Sequence, residues 1–221
     1  MLDTGTSNDI TYLTLLRHGE SEGNISGLIQ GQSDYPLTSS GVEQAKALAS
    51  FWKLSGITFD LILSSPLLRT SQTAEIIADS MHIPIEFDPV WKERDFGHLQ
   101  GTAIEDLDPN IDFFHPYQHI GGSGESQLDL YIRAGQALQK LLLMPPGAYL
   151  VVSHGGILNK AVYVIMGITP QGHYNSPIFH FGNTGYAQFT YNSTSRQWAV
   201  LSLNSKVNHS ALKGQDFWKQ D

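Results

Sequence analysis

The chain has 221 residues, with 13 Lys and Arg against 21 Asp and Glu for a formal charge of −8. Its length suits one substantial core, and no stretch rich in Pro, Ser or Gly separates a second, so a single domain over residues 1–221 is expected. Net acidity argues against a nucleic-acid groove, the lack of cysteine removes thiol nucleophiles, thiolate metal sites and disulfides, and no apolar run is long enough to span a bilayer.

Residues 11–16 read as a buried strand that ends in the polar turn Arg17-His18-Gly19-Glu20. An imidazole beside a guanidinium at a strand end can hold and attack an anion, although such a pair alone is more often a surface feature. Thr38 can cap a helix whose apolar positions Val42, Ala45, Leu48, Ala49 and Trp52 recur at helical spacing through Leu54. Phe59 to Leu63 is a short apolar run. Ser64-Ser65-Pro66 then offers a hydroxyl cap and a proline at the first helical position, for a helix to about Ser80.

A further helix is expected from about Glu125 to Leu143, stopped by Pro145-Pro146, then a strand over 148–152 and a helix from Gly156 to Met166. Alternating segments at Tyr186 to Tyr191 and Gln197 to Leu203 suggest an antiparallel pair, and the tail from Ser205 stays unassigned. This order implies an α/β fold, a three-layer α/β/α sandwich around a mostly parallel sheet with an antiparallel closing strand. In such sheets ligands gather at the carboxyl ends of strands, where Arg17-His18, Ser64-Ser65 and Ser153-His154 all fall.

Four segments taken jointly carry a specific signal. Arg17-His18-Gly19-Glu20-Ser21-x-x-Asn24, Ser64-Ser65-Pro66-Leu67-x-Arg69-x-x-Gln72-Thr73-Ala74, Glu93-x-x-Phe96-Gly97 and Val152-Ser153-His154-Gly155-Gly156 stand in order between residues 11 and 165. Together they resemble the successive signatures of the histidine phosphatase superfamily, the phosphoglycerate-mutase-like proteins. The resemblance implies a covalent mechanism in which a ring nitrogen of His18 attacks phosphorus. Neutral imidazole is required, and neighbouring guanidinium groups disfavour its cation.

In the same scheme Arg17 and Arg69 clamp phosphate oxygens, and His154 is a second phosphate ligand with Gly155 letting backbone approach the anion. Glu93 protonates the leaving oxygen and then deprotonates water, with a solvated charge cluster of Lys92, Arg94 and Asp95 as the competing reading of this stretch. Asn24 resembles an additional phosphate ligand, and Gln30 stands where the family often places a pocket residue. The implied chemistry is metal-independent and needs no cofactor. His115 and His119 have a metal-ligand spacing, but Pro116 and Gly121-Gly122 argue for a loop there. Gly121-Gly122-Ser123-Gly124-Glu125 fits a nucleophile elbow only loosely.

Selectivity should lie in a small cap inserted after the third strand, about residues 101–125. Cofactor-dependent mutases of the family carry a basic insertion there. Between Gly101 and Ile132 this chain has no Lys or Arg, and Glu105, Asp106, Asp108, Asp112, Glu125 and Asp129 are acidic. Such a cap is expected to repel a highly anionic ligand, although Gly97-His98-Leu99-Gln100-Gly101 resembles the mutases. The expected activity is therefore a phosphomonoesterase acting on a small phosphorylated metabolite, whose leaving group meets Phe113, Phe114, His115 and Tyr117 unless these simply pack the cap. A phosphoglycerate mutase and a non-catalytic binding relative are the alternatives. Neither nucleic acid nor membrane is an expected partner, a homodimer stays open, and the cysteine-free chain with its polar N-terminus suits the cytoplasm.

Overall fold

The computed structural model describes residues 9–171 and 177–205; the tail left unassigned above falls almost wholly outside them. Six strands form one sheet in the order β3-β2-β4-β1-β5-β6. These are β1 (Ile10–Arg17), β2 (Leu61–Ser64), β3 (Ile85–Phe87), β4 (Ala148–Ser153), β5 (Tyr186–Asn192) and β6 (Gln197–Ser205). The first four run parallel, with Leu13 opposite Tyr149 and Leu15 opposite Val151, whereas β5 pairs antiparallel with β1 and with β6. The expected closing pair is thus present.

Because β1 is covered on both faces, its sequence is almost continuously apolar rather than alternating. Leu13 and Leu15 join Val151 in one core with α4 (Gln127–Leu142) and α5 (Gly155–Met166). Leu16 joins Ile62, Leu150 and Val152 in the other, against Leu48, Ala49 and Trp52 of α2 (Ser39–Leu54) and Ala74 and Ile77 of α3 (Leu68–Met81). The two cores make the three layers. Thr38 caps α2 by accepting from the Gly41 amide at 2.9 Å, as its position in the sequence suggests.

Two helix starts differ from expectation. The second long helix begins at Leu68 rather than near Ser65, because residues 65–67 form an irregular turn in which Ser65 Oγ accepts from the Leu67 amide at 3.3 Å. The fourth begins at Gln127, after a reciprocal cap in which Ser126 Oγ accepts from the Asp129 amide and the Asp129 carboxylate accepts from the Ser126 amide. Glu125 is left outside the helix. A four-residue turn of helix, α1 (Glu22–Ile25), follows β1 directly.

Residues 97–126 contain only short 3₁₀ turns and loops, and lie over the strand ends. Leu99 and Ile120 from this segment pack on Ile29, with Phe96, Leu107 and Phe113 beside them. Gly121 adopts φ +54°, and a Cβ there would lie 2.1 Å from the Phe96 carbonyl oxygen, so the glycine run lets two loops touch backbone to backbone. That is a packing role, unrelated to a nucleophile. His115 and His119 lie in a loop, as expected, and no described helix is long and apolar enough to cross a membrane.

Candidate active site

The carboxyl ends of β1, β2 and β4 meet beneath the 97–126 segment, and a cavity of about 420 Å3 opens there. Arg17, His18, Arg69, Glu93, Asn24 and Gln30 line it. His18 is buried directly after β1, and its Nδ1 lies 2.7 Å from the Gly19 carbonyl oxygen. A carbonyl only accepts, so Nδ1 carries the proton and the Nε2 lone pair is free. Burial, followed by the positive charges of Arg17 and Arg69, holds this imidazole well below the ordinary 6.5, while the Gly19 bond opposes the shift. The shift favours the neutral imidazole at neutral pH.

Arg69 is fully buried at the second residue of α3, where the late helix start aims it at the strand ends. Its Nη2 donates to Gly31 O at 2.7 Å and its Nη1 to Ser33 O at 2.9 Å. Each of these nitrogens keeps a second N–H. Its Nε donates to His154 Nδ1 at 3.1 Å. Desolvation, with Glu93 and Asp34 opposing it, brings the guanidinium down to about 10, so it stays cationic. Arg17 donates from Nη1 to Phe181 O at 2.7 Å, and its buried Nε has no partner among the described residues.

His154 is buried at the end of β4, its ring 5.3 Å from that of His18. Nδ1 must accept from Arg69, so Nε2 carries the proton and donates to Ser65 Oγ at 2.9 Å. Both ring nitrogens are engaged. In this arrangement His154 anchors Arg69, and donation to a phosphate oxygen would require one of those bonds to be exchanged. Burial first, then Arg69, His18 and Arg17, depress its protonation strongly as well.

Glu93 points inward, and the surface charge cluster suggested by its sequence neighbours does not form around it. Its Oε1 accepts from the Arg94 and Ile157 amides at 2.8 and 3.1 Å, and Oε2 from the Gly156 amide at 3.0 Å, on the first turn of α5. A Cβ on Gly156 would lie 2.4 Å from Oε1, whereas one on Gly155 would meet only Arg17, at an ordinary 3.9 Å. Gly156 is therefore the glycine against which Glu93 packs. Asn24 Oδ1 accepts from the Ser21 amide and from Asn183, and Gln30 Oε1 accepts from Ser21 Oγ at 2.9 Å.

Several residues escaped the sequence reading. Asn183 donates toward both the His18 carbonyl and Asn24, from 165 positions beyond His18. Arg133 forks onto both oxygens of Glu125 at 2.7 and 2.6 Å and also donates to the Val90, Lys92 and Glu93 carbonyls, holding the Glu93 segment. Arg94 is 3 % exposed and bonded to the Glu125 and Phe113 carbonyls, and Lys160 of α5 is also buried. Of the four cap aromatics, Phe113 lines the cavity, but Tyr117 is 64 % exposed and the His115 ring accepts from the Gln118 amide in an outer turn. Among the described residues no group of three or more His, Asp or Glu is arranged to hold a metal ion.

The chain matches the model of the histidine phosphatase superfamily (branch 1) over residues 13–206. It is 40 % identical over 164 residues to a protein from Yersinia enterocolitica named "Probable phosphoglycerate mutase GpmB", covering 71 % of this chain and 75 % of that one. A mutant phosphoserine phosphatase from Entamoeba histolytica, solved with phosphoserine, superposes with a TM-score of 0.73 at 30 % identity over 88 % of this chain and 97 % of that one. The phosphoserine phosphatase of that organism with 3-phosphoglyceric acid gives 0.75 at 30 % identity, over 89 % and 98 %. A match across most of the chain, over the same strand ends that gather His18, Arg69, Glu93 and His154, makes this protein a member of branch 1 of the histidine phosphatase superfamily.

Proposed function

We propose that the protein is a metal-independent phosphomonoesterase that works through a phosphohistidine on His18. The observation that carries this reading is the fixed tautomer: with Nδ1–H given to the Gly19 carbonyl, the Nε2 lone pair is available in a pocket lined by Arg17 and Arg69. Nε2 attacks phosphorus, the P–O ester bond breaks, and the alcohol leaves with a proton that the monoanionic ester brings in and Glu93 relays. The imidazole gains positive character as the N–P bond forms, and the 2.7 Å bond to Gly19 O stabilises it. The remaining N–H groups of Arg17 and Arg69 hold the equatorial oxygens, with Asn24 at the pocket rim. Water then attacks the phosphohistidine as Glu93 takes its proton, and phosphate leaves.

Positive charge at the reacting centre comes from the two arginines, so no step is routed through a metal. A small phosphorylated metabolite fits the cavity of about 420 Å3. Phosphoserine and 3-phosphoglyceric acid, bound in the Entamoeba neighbours, are the first compounds to assay. Mutase activity is the second reading, favoured by the name of the Yersinia relative.

The test is phosphate release from a panel of monophosphates, alongside interconversion of phosphoglycerates with and without a bisphosphate. Hydrolysis that is lost in His18→Ala, with acid-labile label trapped on the wild-type chain, supports the phosphatase. Full activity in His18→Ala, loss of activity on chelation, or turnover only as a mutase refutes it.

A further inference from the structure

A second cavity, of about 480 Å3, adjoins the first and shares Arg17, Glu93, Phe96 and Phe113 with it. Its walls are largely aromatic and aliphatic, yet two cations besides Arg17 stand in it. Lys160 is 7 % exposed in a helix with no other charged residue, and among the described residues it has neither an ion pair nor a hydrogen bond. Its Nζ lies over the face of Tyr163, 4.2 Å from the ring centre. Arg94 uses Nε and Nη1 on carbonyls, but its buried Nη2 has no partner among the described residues.

The acidic groups around this pair are already committed. Glu125 is taken by Arg133, Asp129 caps α4, and Glu93 rests on the first amides of α5. Asp112 accepts from the Phe114 amide. A buried ammonium is costly without a counter-charge, and a ring face offsets only part of that cost. Burial, with Arg94 adding, brings Lys160 down to about 8, which leaves it largely protonated at neutral pH and responsive to an incoming anion.

We infer that this cavity receives the leaving alcohol of the substrate, and that Lys160 and Arg94 Nη2 bind an anionic group at its end. The inference rests on the phosphatase reading of the His18 cavity and names its substrate class: a phosphate monoester with an apolar body that carries a second anion, a carboxylate or a second phosphate. The absence of Lys and Arg from residues 101–132 does not make the leaving-group side repulsive, because Arg94 and Lys160 enter it from outside that window.

The experiment compares 4-carboxybenzyl phosphate, 4-methylbenzyl phosphate and the bisphosphate of 1,4-benzenedimethanol. kcat/KM is measured on the wild type and on Lys160→Met, and Kd on His18→Ala with and without Lys160→Met. The expected result is a wild-type preference of about tenfold to a hundredfold for an anionic ester over the methyl one, the size of one hydrogen bond to a charged group, and its loss in Lys160→Met. Preference for the carboxylate or for the bisphosphate identifies which anion the pair reads. Equal use of all three esters, or a preference that persists in Lys160→Met, overturns the inference. A Lys160-dependent preference in Kd without any hydrolysis leaves the subsite standing and refutes the phosphatase reading alone.

Discussion

Adjacent glycines at the start of α5 should respond to the same substitution in opposite ways. In Gly156→Ala the new Cβ would fall 2.4 Å from Glu93 Oε1 and 3.2 Å from its Cδ. The atom in the way is the end of a flexible side chain, so the carboxylate swings out and the helix stays. What is lost is the pair of bonds from the Gly156 and Ile157 amides, at about 1.5–3 kcal/mol each for a charged acceptor. Alanine returns about 1 kcal/mol of helix propensity. The net is about 2–5 kcal/mol if the carboxylate finds nothing else, and an open pocket that lets water solvate it brings the loss toward the lower figure. Thermal unfolding should therefore fall by roughly 4–8 °C.

Activity should suffer more, because a displaced Glu93 no longer faces the leaving oxygen, and general acid–base help amounts to about 10²–10⁴ in rate. In Gly155→Ala the Cβ makes only a 3.9 Å contact with Arg17 Nε, and kcat should stay within about threefold of wild type. Steady-state phosphate release at saturating ester, with calorimetric melting of the same samples, measures both. Wild-type turnover in Gly156→Ala, or an equal fall in Gly155→Ala, would show that the α5 amides do not position Glu93.

Stability should decline as pH falls below 6.5, because unfolded His18 and His154 take up protons there while the folded groups, both strongly depressed by burial, do not. Each contributes a slope of up to about 1.4 kcal/mol per pH unit, so His18→Asn should remove about half of the slope between pH 6 and 5 in urea titrations. An unchanged slope would mean that His18 is protonated in the folded protein. Arg133→Lys cannot reproduce the fork onto Glu125 together with the Val90, Lys92 and Glu93 carbonyls. It should cost at least about 2 kcal/mol in the urea midpoint and lower kcat tenfold or more, with wild-type values counting against the bracing role.

Most of the fold was legible because burial on both faces of a parallel sheet leaves unbroken apolar runs, as in Tyr149 to Val152. Ser65 was misread for a local reason: a hydroxyl before a proline has the pattern of a helix cap, and only the packing of β4 beside β2 brings His154 within 2.9 Å of it. Arg94 looked solvated because Lys92 and Asp95 flank it, while its carbonyl partners lie 19 and 31 residues further on. The charge count over residues 101–132 could not include Arg94 and Lys160, which line the second cavity from outside that window. Lys160 did leave a trace, as the single cation in the apolar helix Gly155–Met166.

The position of β4 in the sheet also governs when the protein can work. Of the three strands that deliver His18, Ser65 and His154, β1 and β2 do not pair with each other; each pairs with β4. A growing chain has therefore made Arg17, His18, Arg69 and Glu93 well before residues 148–153 exist to join the two edges. Until then those edges are open to other strands, and phosphate has no assembled cradle to enter. Closure of the sheet centre and assembly of the candidate site are one event, so a chain cut short of residue 148 carries most of the cavity's side chains and none of their arrangement.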